Sequence, residues 1–436
     1  MRTRTILPCL VVVLVLALSP GVSAAGPRPS APQYVLIDAS TGQILYESAC
    51  REKAYPASTT KILTALVVLS KANLSDKLTV PEEARKAGGS QVFLTPGSQM
   101  TVEDALYALI LSSANDGAIA LAHKVSGGIE AFAKEMNEAA RSAGATSSNF
   151  TNPHGLPDDN HYTTALDLAL VSRAALKMAA FGRIAGTQTR QITINGPGTN
   201  GGSVRKETLT NHNRMLWWYE GCTGMKTGFT QQSLHTMVAS AQRGDRELIA
   251  VVLGSSSSTF LWRDAAALLD YGFSAFAPKQ IIKQGQPLGE VKVSEGKTAA
   301  TGSSAGSFTI LDGDGRPEIT LKPTYAERLQ APVKAGQKIG VLSLVQAGRE
   351  IARLDIVAAQ DVERQFNATP FLYGAGALAG LMLLTIIASN TARRGRRRNM
   401  HYPEAIRSTR PPRPLRPARR RPSRYPSDSS RGAGQA

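Results

Sequence analysis

Alternating hydrophobic and polar residues predict two β-hairpins. The first covers residues 33–48 (QYVLIDASTGQILYES), in which Ser-Thr-Gly separates two alternating runs and supplies residues typical of a turn. The second covers residues 234–255, in which two apolar runs surround Arg-Gly-Asp. The two hairpins lie near opposite ends of the segment 26–276.

Apolar residues recur every three or four positions in four other segments, as they do on one face of an α-helix. One segment begins near Ser58, and the others cover residues 101–125, 165–179 and 260–276. The polar residues SSANDG at 112–117 interrupt the second of these segments, which predicts two helices with a break between them.

The order of the elements is a hairpin, several helices, a hairpin and a final helix, which differs from the strict strand–helix alternation of a parallel sheet. We therefore expect an α+β fold for residues 26–276, in which helices flank one antiparallel sheet built from both ends of the segment. Residues 277–360 contain short Val- and Ile-rich runs separated by Gly and Pro. This pattern predicts a small all-β domain.

Two apolar segments lie outside these domains. Residues 1–25 combine Arg2 and Arg4, an apolar run and a small-residue exit, the pattern of a secretory signal peptide. Residues 369–389 are 21 residues without a charge, enough for a transmembrane helix, although a buried core helix would have the same composition. The cluster RRGRRR at 393–398 favours the membrane, because basic residues flank the cytoplasmic side of a transmembrane helix.

This orientation predicts a single-pass protein of the cell membrane whose body is extracytoplasmic. Residues 361–368 are then a linker, and residues 390–436, rich in Arg, Pro and Ser, are a basic and disordered cytoplasmic tail.

The chain has 436 residues, of which 42% are hydrophobic and 19% charged, as in ordinary globular proteins. Its net charge of +17 is concentrated in the tail, because residues 393–436 contain 14 Arg, no Lys and only two acidic residues. The folded part is nearly neutral, so we expect no nucleic-acid partner.

Outside the signal peptide the chain has two cysteines, Cys50 and Cys222. They either form a disulfide or remain buried thiols, and the sequence, which gives no distance between them, favours the thiols.

Three short polar motifs are candidates for chemistry. Ser58 and Lys61 lie one turn apart at a predicted helix start (YPASTTKILTAL). Ser113 and Asn115 lie in the polar break between two helices, and Lys226 is followed by Thr-Gly shortly before the second hairpin. Taken singly, each motif is better explained by a structural role: a helix cap for the first, a loop between helices for the second and the edge of a strand for the third.

Together, in this order and spacing, the motifs resemble the Ser-x-x-Lys, Ser-x-Asn and Lys-Thr-Gly boxes of the penicillin-binding proteins and serine β-lactamases. The segments YPASTTKILTAL, LILSSANDGAIALA, FTNPHGLPDDNHYTTALDLAL and MKTGFT are similar to those of the D-alanyl-D-alanine carboxypeptidases, the low-molecular-mass penicillin-binding proteins. The resemblance is strong over residues 33–273 and extends in outline to the β domain and the membrane anchor.

The resemblance implies that Ser58 is the nucleophile, Lys61 its general base, and Ser113 the group that passes a proton to the departing D-alanine. A serine hydroxyl needs an adjacent base, and a lysine serves as one only if burial or a nearby cation such as Lys226 lowers its pKa. The resemblance also implies that Asn115 holds a substrate amide and that Lys226 and Thr227 bind the terminal carboxylate. Gly228 completes the Lys-Thr-Gly box, and the backbone N–H of Phe229 donates to the oxyanion.

Two departures from the family pattern concern substrate recognition. Many relatives have His where Phe229 stands, and some have a carboxylate-binding Arg in the stretch that corresponds to Gly254–Ser258. Here no Arg follows until Arg263, so carboxylate recognition rests more heavily on Lys226 and Thr227.

His154 and His161 raise the question of a metal site. A zinc site would need a third ligand and closer spacing, so we interpret both as residues that structure their loop, either of which could line the cleft. The sequence has no Gly-rich phosphate loop and no Cys/His cluster, and we expect no cofactor and no metal.

The resemblance therefore implies a membrane-anchored serine-type D-Ala-D-Ala carboxypeptidase that acts on peptidoglycan stem pentapeptides and is inhibited by β-lactams. The alternatives are a β-lactamase and a non-catalytic penicillin-sensing or wall-binding protein. Class A β-lactamases need a Glu that positions the deacylating water. Residues 152–167 (NPHGLPDDNHYTTALD) contain no Glu, which disfavours the β-lactamase.

Overall fold

The structure is a computed structural model that describes residues 26–197, 203–313, 318–346 and 348–398. The predicted signal peptide and most of the predicted cytoplasmic tail lie outside these residues. The chain divides into two compact units, the first ending at Gln365 and the second beginning at Phe366.

The elements are numbered here in chain order. The strands are β1 (Gln33–Asp38), β2 (Ile44–Ser48), β3 (Lys77–Thr79), β4 (Gln99–Thr101), β5 (Thr189–Asn195), β6 (Val204–Thr210), β7 (Cys222–Thr230), β8 (Leu234–Arg243), β9 (Arg246–Ser255), β10 (Ala277–Ile282), β11 (Pro287–Val291), β12 (Ala300–Ser304), β13 (Phe308–Asp312), β14 (Ile319–Tyr325), β15 (Lys338–Gln346) and β16 (Arg349–Ala358). The helices are α1 (Lys61–Lys71), α2 (Val102–Leu111), α3 (Asn115–Ser126), α4 (Ile129–Ser142), α5 (Ala165–Leu176), α6 (Ala179–Ala185), α7 (Met215–Trp218), α8 (Ser258–Ala275) and α9 (Thr369–Arg398).

The main sheet of the first unit has five strands in the order β2-β1-β9-β8-β7, and all neighbours are antiparallel. Strand β1 pairs with β9 over its whole length, from Gln33 opposite Leu253 to Asp38 opposite Leu248. The predicted antiparallel sheet, built from an early and a late hairpin, is confirmed. Strand β7 lies at one edge of this sheet.

Both faces of the main sheet are buried, because successive residues of its strands point to opposite faces. Val35 and Ile37 of β1 belong to the core shared with helices α1 to α6, whereas Leu36 between them belongs to the core shared with α8. The sheet is therefore a central layer between a large helical region and a single long helix.

The predicted break in the helical segment 101–125 is confirmed, because α2 ends at Leu111 and α3 begins at Asn115. The buried Asp116 carboxylate accepts hydrogen bonds from the N–H groups of Val92 (3.3 Å) and Leu94 (2.9 Å), so it ties a surface loop to the start of α3. Helix α4 and a small sheet in the order β3-β4-β5-β6 have no counterpart among the elements predicted from the sequence.

The second part of the first unit is all-β, as predicted. Its sheet has the order β11-β12-β16-β15-β14 and packs around a core that includes Leu342, Leu344 and Ile356. Val362 and Arg364, in the segment predicted as a linker, pair with Val333 and Gly296 of this region.

The second unit contains α9. Its residues Thr369–Arg394 are long and apolar enough to cross a membrane, and none of their most apolar window is buried. The α+β fold, the C-terminal all-β region and the apolar C-terminal helix agree with the expected fold class.

Within the described residues, no disulfide links Cys50 to Cys222; Cys50 is buried and Cys222 half-buried.

Candidate active site

Ser58 lies in a short 3₁₀ turn, Ala57–Thr60, that leads directly into α1. The turn begins at Ala57, whose φ of 49° is a strained conformation for a residue with a side chain. The Pro56 carbonyl anchors the turn, because it accepts hydrogen bonds from the hydroxyls of Thr59 (2.6 Å) and of Thr236 on β8 (2.9 Å). The turn that carries Ser58 is thus held against the main sheet.

Lys61 is the first residue of α1, and its side chain has an exposed fraction of 0%. Its Nζ lies 2.9 Å from Ser58 Oγ, 2.6 Å from Asn115 Oδ1 and 2.7 Å from the His154 carbonyl oxygen. The Asn115 amide is oriented by its Nδ2, which donates to the Gly88 carbonyl at 2.8 Å. The oxygen of Asn115 must therefore face Lys61.

These three contacts match the hydrogen-bonding capacity of a neutral amine, which has two N–H donors and one lone pair. Asn115 Oδ1 and the His154 carbonyl can only accept, so they take the two N–H groups. The lone pair of Lys61 Nζ then faces the Ser58 hydroxyl, which donates its proton. This is the geometry that a general base needs.

The surroundings of Lys61 favour the neutral amine. Burial lowers the pKa of Lys61 well below its usual value, the positive charge of Lys226 lowers it further, and Asp116 partly opposes both. Burial also lowers the pKa of Lys226, to about 7. Two buried lysines whose pKa values are both depressed mark this cleft as a candidate site for proton transfer.

Ser113 is buried in the loop between α2 and α3, two residues before Asn115. Its φ is 60°, again in the left-handed region that residues with a side chain rarely adopt. The strained loop places Ser113 directly before the helix that carries Asn115.

Lys226, Thr227, Gly228 and Phe229 lie on β7, the edge strand of the main sheet. Lys226 has an exposed fraction of 1%, and its Nζ donates to the Thr227 carbonyl at 3.0 Å. Within the part of the chain that the structure describes, β7 has a strand partner on one side only, and many proteins bind an extended peptide along such an edge.

Gly228 shows how closely β7 approaches the nucleophile. A Cβ atom at this position would lie 2.7 Å from the backbone N of Ser58 and 3.0 Å from Ala57 Cβ. A side chain at residue 228 is therefore incompatible with the present packing. The close approach brings the Ser58 N–H and the following residue of β7, Phe229, to the same part of the cleft, as an oxyanion site requires.

The two loop histidines differ in their contacts. His161 is buried, with Nδ1 accepting the Thr151 N–H at 3.1 Å, so its Nε2 carries the proton and donates to Thr60 Oγ1 at 2.8 Å. Burial lowers the pKa of His161 to about 4, which keeps it neutral. His154 contributes its backbone carbonyl to Lys61, a contact that the sequence analysis missed.

Gly155 is the signal that could have revealed the importance of this loop. Its φ is 86°, and a Cβ atom there would lie 1.8 Å from the Ala57 carbonyl oxygen. A glycine directly after His154 in NPHGL therefore marks the place where this loop meets the Ser58 turn.

The structure also shows the surroundings of Phe229 and of the stretch Gly254–Ser258, the two places where the sequence departs from the family pattern. The Phe229 ring is 56% exposed and lies 4.5 Å, centroid to centroid, from the ring of His235 on β8. In the stretch Gly254–Ser258, Ser257 caps α8 by accepting the Phe260 N–H at 3.2 Å. Arg263 lies within α8 and pairs with Asp264 at 3.4 Å.

Comparison with known proteins gives consistent matches along the chain. A family model described as D-alanyl-D-alanine carboxypeptidase matches residues 21–257, and one described as the C-terminal domain of penicillin-binding protein 5 matches residues 276–364. D-alanyl-D-alanine carboxypeptidase DacF of Bacillus subtilis (strain 168) is 32% identical over 376 residues, which cover 83% of this chain and 95% of the relative. DacC of Escherichia coli (strain K12) is 33% identical and covers 77% of this chain and 85% of the relative.

Solved structures show the same similarity. Penicillin-binding protein 5 from Haemophilus influenzae matches with a TM-score of 0.64 and 29% identity, over 78% of this chain and 99% of that chain. The Streptomyces K15 DD-transpeptidase matches with a TM-score of 0.55 and 31% identity, over 57% of this chain and 99% of that chain.

Proposed function

The chain belongs to the D-alanyl-D-alanine carboxypeptidase family and is a serine-type hydrolase; we propose that it removes the terminal D-alanine from peptidoglycan stem pentapeptides through an acyl-enzyme on Ser58. The observation that carries the proposal is the set of contacts around Lys61 Nζ. Two acceptors occupy its N–H groups, and the third contact, at 2.9 Å, is the Ser58 hydroxyl.

Acylation begins when Ser58 Oγ attacks the carbonyl carbon of the penultimate D-alanine and its proton moves to Lys61 Nζ. The N–H groups of Ser58 and Phe229 stabilise the negative charge that develops on the carbonyl oxygen. The bond to the terminal D-alanine then breaks, and Ser113 relays the proton from Lys61 to the departing amine. The products are an ester on Ser58 and free D-alanine.

Deacylation repeats these steps with water as the nucleophile. Lys61 takes a proton from the water that attacks the ester carbonyl, and the Ser58 oxygen recovers a proton as it leaves. The shortened stem peptide is released with a new carboxylate, and Lys61 returns to its neutral form.

The substrate lies along the outer edge of β7 as an added antiparallel strand. Its terminal carboxylate faces Lys226 and Thr227, and its scissile carbonyl lies beside Gly228, where no side chain intervenes. Asn115 also positions Lys61, and the second N–H of its amide, which has no acceptor among the described residues, donates to a substrate carbonyl.

The same attack opens a β-lactam ring, and the ring nitrogen remains tethered to the acyl group instead of diffusing away. The tethered ring stays in the cleft and hinders the water that Lys61 activates against the peptide ester, so the adduct persists unless a second base activates water from another side. Residues 152–167 contain no Glu, and this loop offers Lys61 the carbonyl of His154, which cannot act as a base. We expect β-lactams to inhibit this protein and not to be its substrates.

The location proposed for the protein follows from α9. An apolar helix of this length suits a membrane anchor, and the Arg cluster at 393–398 favours the cytoplasmic side for its C-terminal end. The catalytic region then lies outside the cytoplasm, where peptidoglycan is found.

Release of D-alanine from diacetyl-Lys-D-Ala-D-Ala tests the proposal, with Ser58→Ala as the control. The expected result is release by the natural chain and none by the variant. A stable penicillin adduct without D-alanine release would indicate a sensor, and rapid penicillin turnover would indicate a β-lactamase. Addition of an acceptor amine distinguishes a carboxypeptidase from a transpeptidase, because only a transpeptidase forms a large fraction of peptide–amine product.

A further inference from the structure

His212 is a partly exposed histidine beside the proposed catalytic residues and has no role in the mechanism above. It lies between β6 and α7, and its backbone N–H donates to the Leu111 carbonyl at 3.0 Å. Leu111 is the last residue of α2 and directly precedes the strained loop that carries Ser113. Main-chain contact thus holds His212 next to this loop.

The residues on either side of His212 are rigidly anchored. Asn211 is buried and donates through Nδ2 to the carbonyls of Ala185 (3.2 Å) and Thr187 (3.0 Å). Asn213 is also buried, and its Oδ1 accepts the Met215 N–H at 3.1 Å. These contacts fix the main chain at His212, and among the described residues none forms a hydrogen bond with the His212 imidazole, so its ring nitrogens are available to a ligand.

The charges that act on His212 are all positive. They come from Lys226 on β7, Lys61 on α1 and Arg214 at the start of α7, and no carboxylate of the described residues opposes them. Desolvation by the surrounding protein and these three charges lower the pKa of His212 to about 4. The imidazole is therefore neutral in the free protein at ordinary pH, in a region whose unbalanced positive charge suits an anion.

We propose that His212 binds the terminal carboxylate of the substrate together with Lys226 and Thr227, and that it takes up a proton from solvent when the carboxylate arrives. The proposal rests on the proposed function, since it requires a substrate that ends in a carboxylate beside Lys226. It also provides a cationic group in a cleft where the stretch Gly254–Ser258 has no Arg and where Arg263 is paired with Asp264.

The pH dependence follows from the change in the His212 pKa. A bound carboxylate raises this pKa from about 4 towards the ordinary value of about 6.5. The contribution of the imidazolium to binding is then complete below about pH 4 and is lost as the pH rises through about 6.5. Over this window the affinity for a carboxylate substrate increases as the pH falls.

Kinetics of D-alanine release by the full-length protein in detergent test the proposal, with diacetyl-Lys-D-Ala-D-Ala as the probe. At pH 5.5, His212→Gln is expected to raise KM about tenfold with little change in kcat, because a hydrogen bond to a charged group is lost. At pH 8.5 the two proteins should have KM values within about twofold. H212R is expected to keep the low KM and to lose its pH dependence, and the neighbouring variant Arg214→Gln should keep the pH dependence of the natural chain.

A spectroscopic measurement separates binding from a structural role. In Ser58→Ala protein with ¹³C-labelled histidine, the His212 imidazole signal, identified by its loss in the His212→Gln double variant, reports the pKa directly. The peptide should raise this pKa by about two units, and the same peptide with a C-terminal amide should leave it unchanged.

Three results would overturn the proposal. The first is a ratio of the KM of His212→Gln to that of the natural chain that is the same at pH 5.5 and pH 8.5. The second is an equal rise of the His212 pKa with the peptide and with its C-terminal amide, and the third is a KM that no longer depends on pH in Arg214→Gln. Complete labelling of His212→Gln by penicillin shows that the Ser58 machinery is intact in the variant. A natural chain that neither labels nor releases D-alanine would contradict the proposed function itself.

Discussion

Replacement of Gly228 by alanine should slow acylation of Ser58 by about 100-fold and leave the fold intact. The new Cβ would lie 2.7 Å from the Ser58 backbone N and 2.6 Å from Thr236 Oγ1. Thr236 cannot rotate away without cost, because its hydroxyl donates to the Pro56 carbonyl at 2.9 Å and so anchors the Ser58 turn. The strain must therefore be relieved by movement of the turn away from β7.

The size of this movement can be worked out from the contact distance. Ordinary van der Waals contacts of a Cβ begin at 3.4 Å, so the Ser58 N must shift by about 0.7 Å. A displacement of about 1 Å at a reacting centre typically costs about 10²-fold in rate. This corresponds to about 2.7 kcal/mol of transition-state stabilisation, as expected for a misplaced oxyanion donor.

The assay is the rate at which labelled penicillin becomes attached to Ser58, measured beside a thermal melt. Gly182→Ala in α6 is the matched control, because a Cβ there would meet no described residue within 4 Å apart from its chain neighbours and the backbone of its own helix. The control should acylate normally. If Gly228→Ala acylates at the natural rate, the Ser58 N–H does not stabilise the oxyanion; if it melts far below the control, the lost rate reports unfolding and not the site.

Four further predictions concern the nucleophile, the two lysines and the chain ends. Ser58→Ala should abolish the penicillin adduct, and an adduct on Ser113 would contradict the assignment of the nucleophile. Lys61→Ala should remain folded but acylate roughly 10²–10⁴-fold more slowly, and a normal rate would remove the general-base argument. Lys226→Met should abolish activity yet stabilise the fold at pH 7, because burial lowers the folded-state pKa of Lys226 to about 7, below its unfolded value of about 10.4. The unfolded chain binds the extra proton between these values, so the advantage of the variant in urea unfolding should shrink as the pH rises from 7 to 10; a constant difference would contradict the burial argument. A truncated chain of residues 26–365 should be soluble and active, since it retains the β-domain pairing of Arg364 and ends before α9, whereas its aggregation would indicate that α9 packs into the body.

The sequence was most informative where structure depends on neighbouring residues. Three positions along a helix or 3₁₀ turn place two side chains on one face, so the proximity of Ser58 and Lys61 could be predicted from their spacing. The hairpins also depend on local alternation and turn residues, and both formed where predicted. Helix α4 and the small sheet were missed, although α4 carries a clear apolar face that includes Phe132 and Met136.

Only the tertiary structure decided what surrounds the lysine. Asn115 and the His154 carbonyl are 54 and 93 residues from Lys61 in the chain, and they meet its Nζ because the helices pack on one face of the main sheet. The direction of the two N–H groups, and hence of the lone pair, follows from that packing. Spacing along the chain gives no access to it.

The edge position of β7 and the location of His212 beside the site could likewise not be predicted from the sequence. Which strand lies at an edge depends on how the five strands pair in space, and their order along the chain does not specify that pairing. The sequence determined the local geometry of a serine and a lysine on one turn. The long-range burial of both lysines, which lowers their pKa values and leaves positive charge around His212, was determined by the fold, because desolvation depends on every element packed around a group and not on its neighbours in the chain.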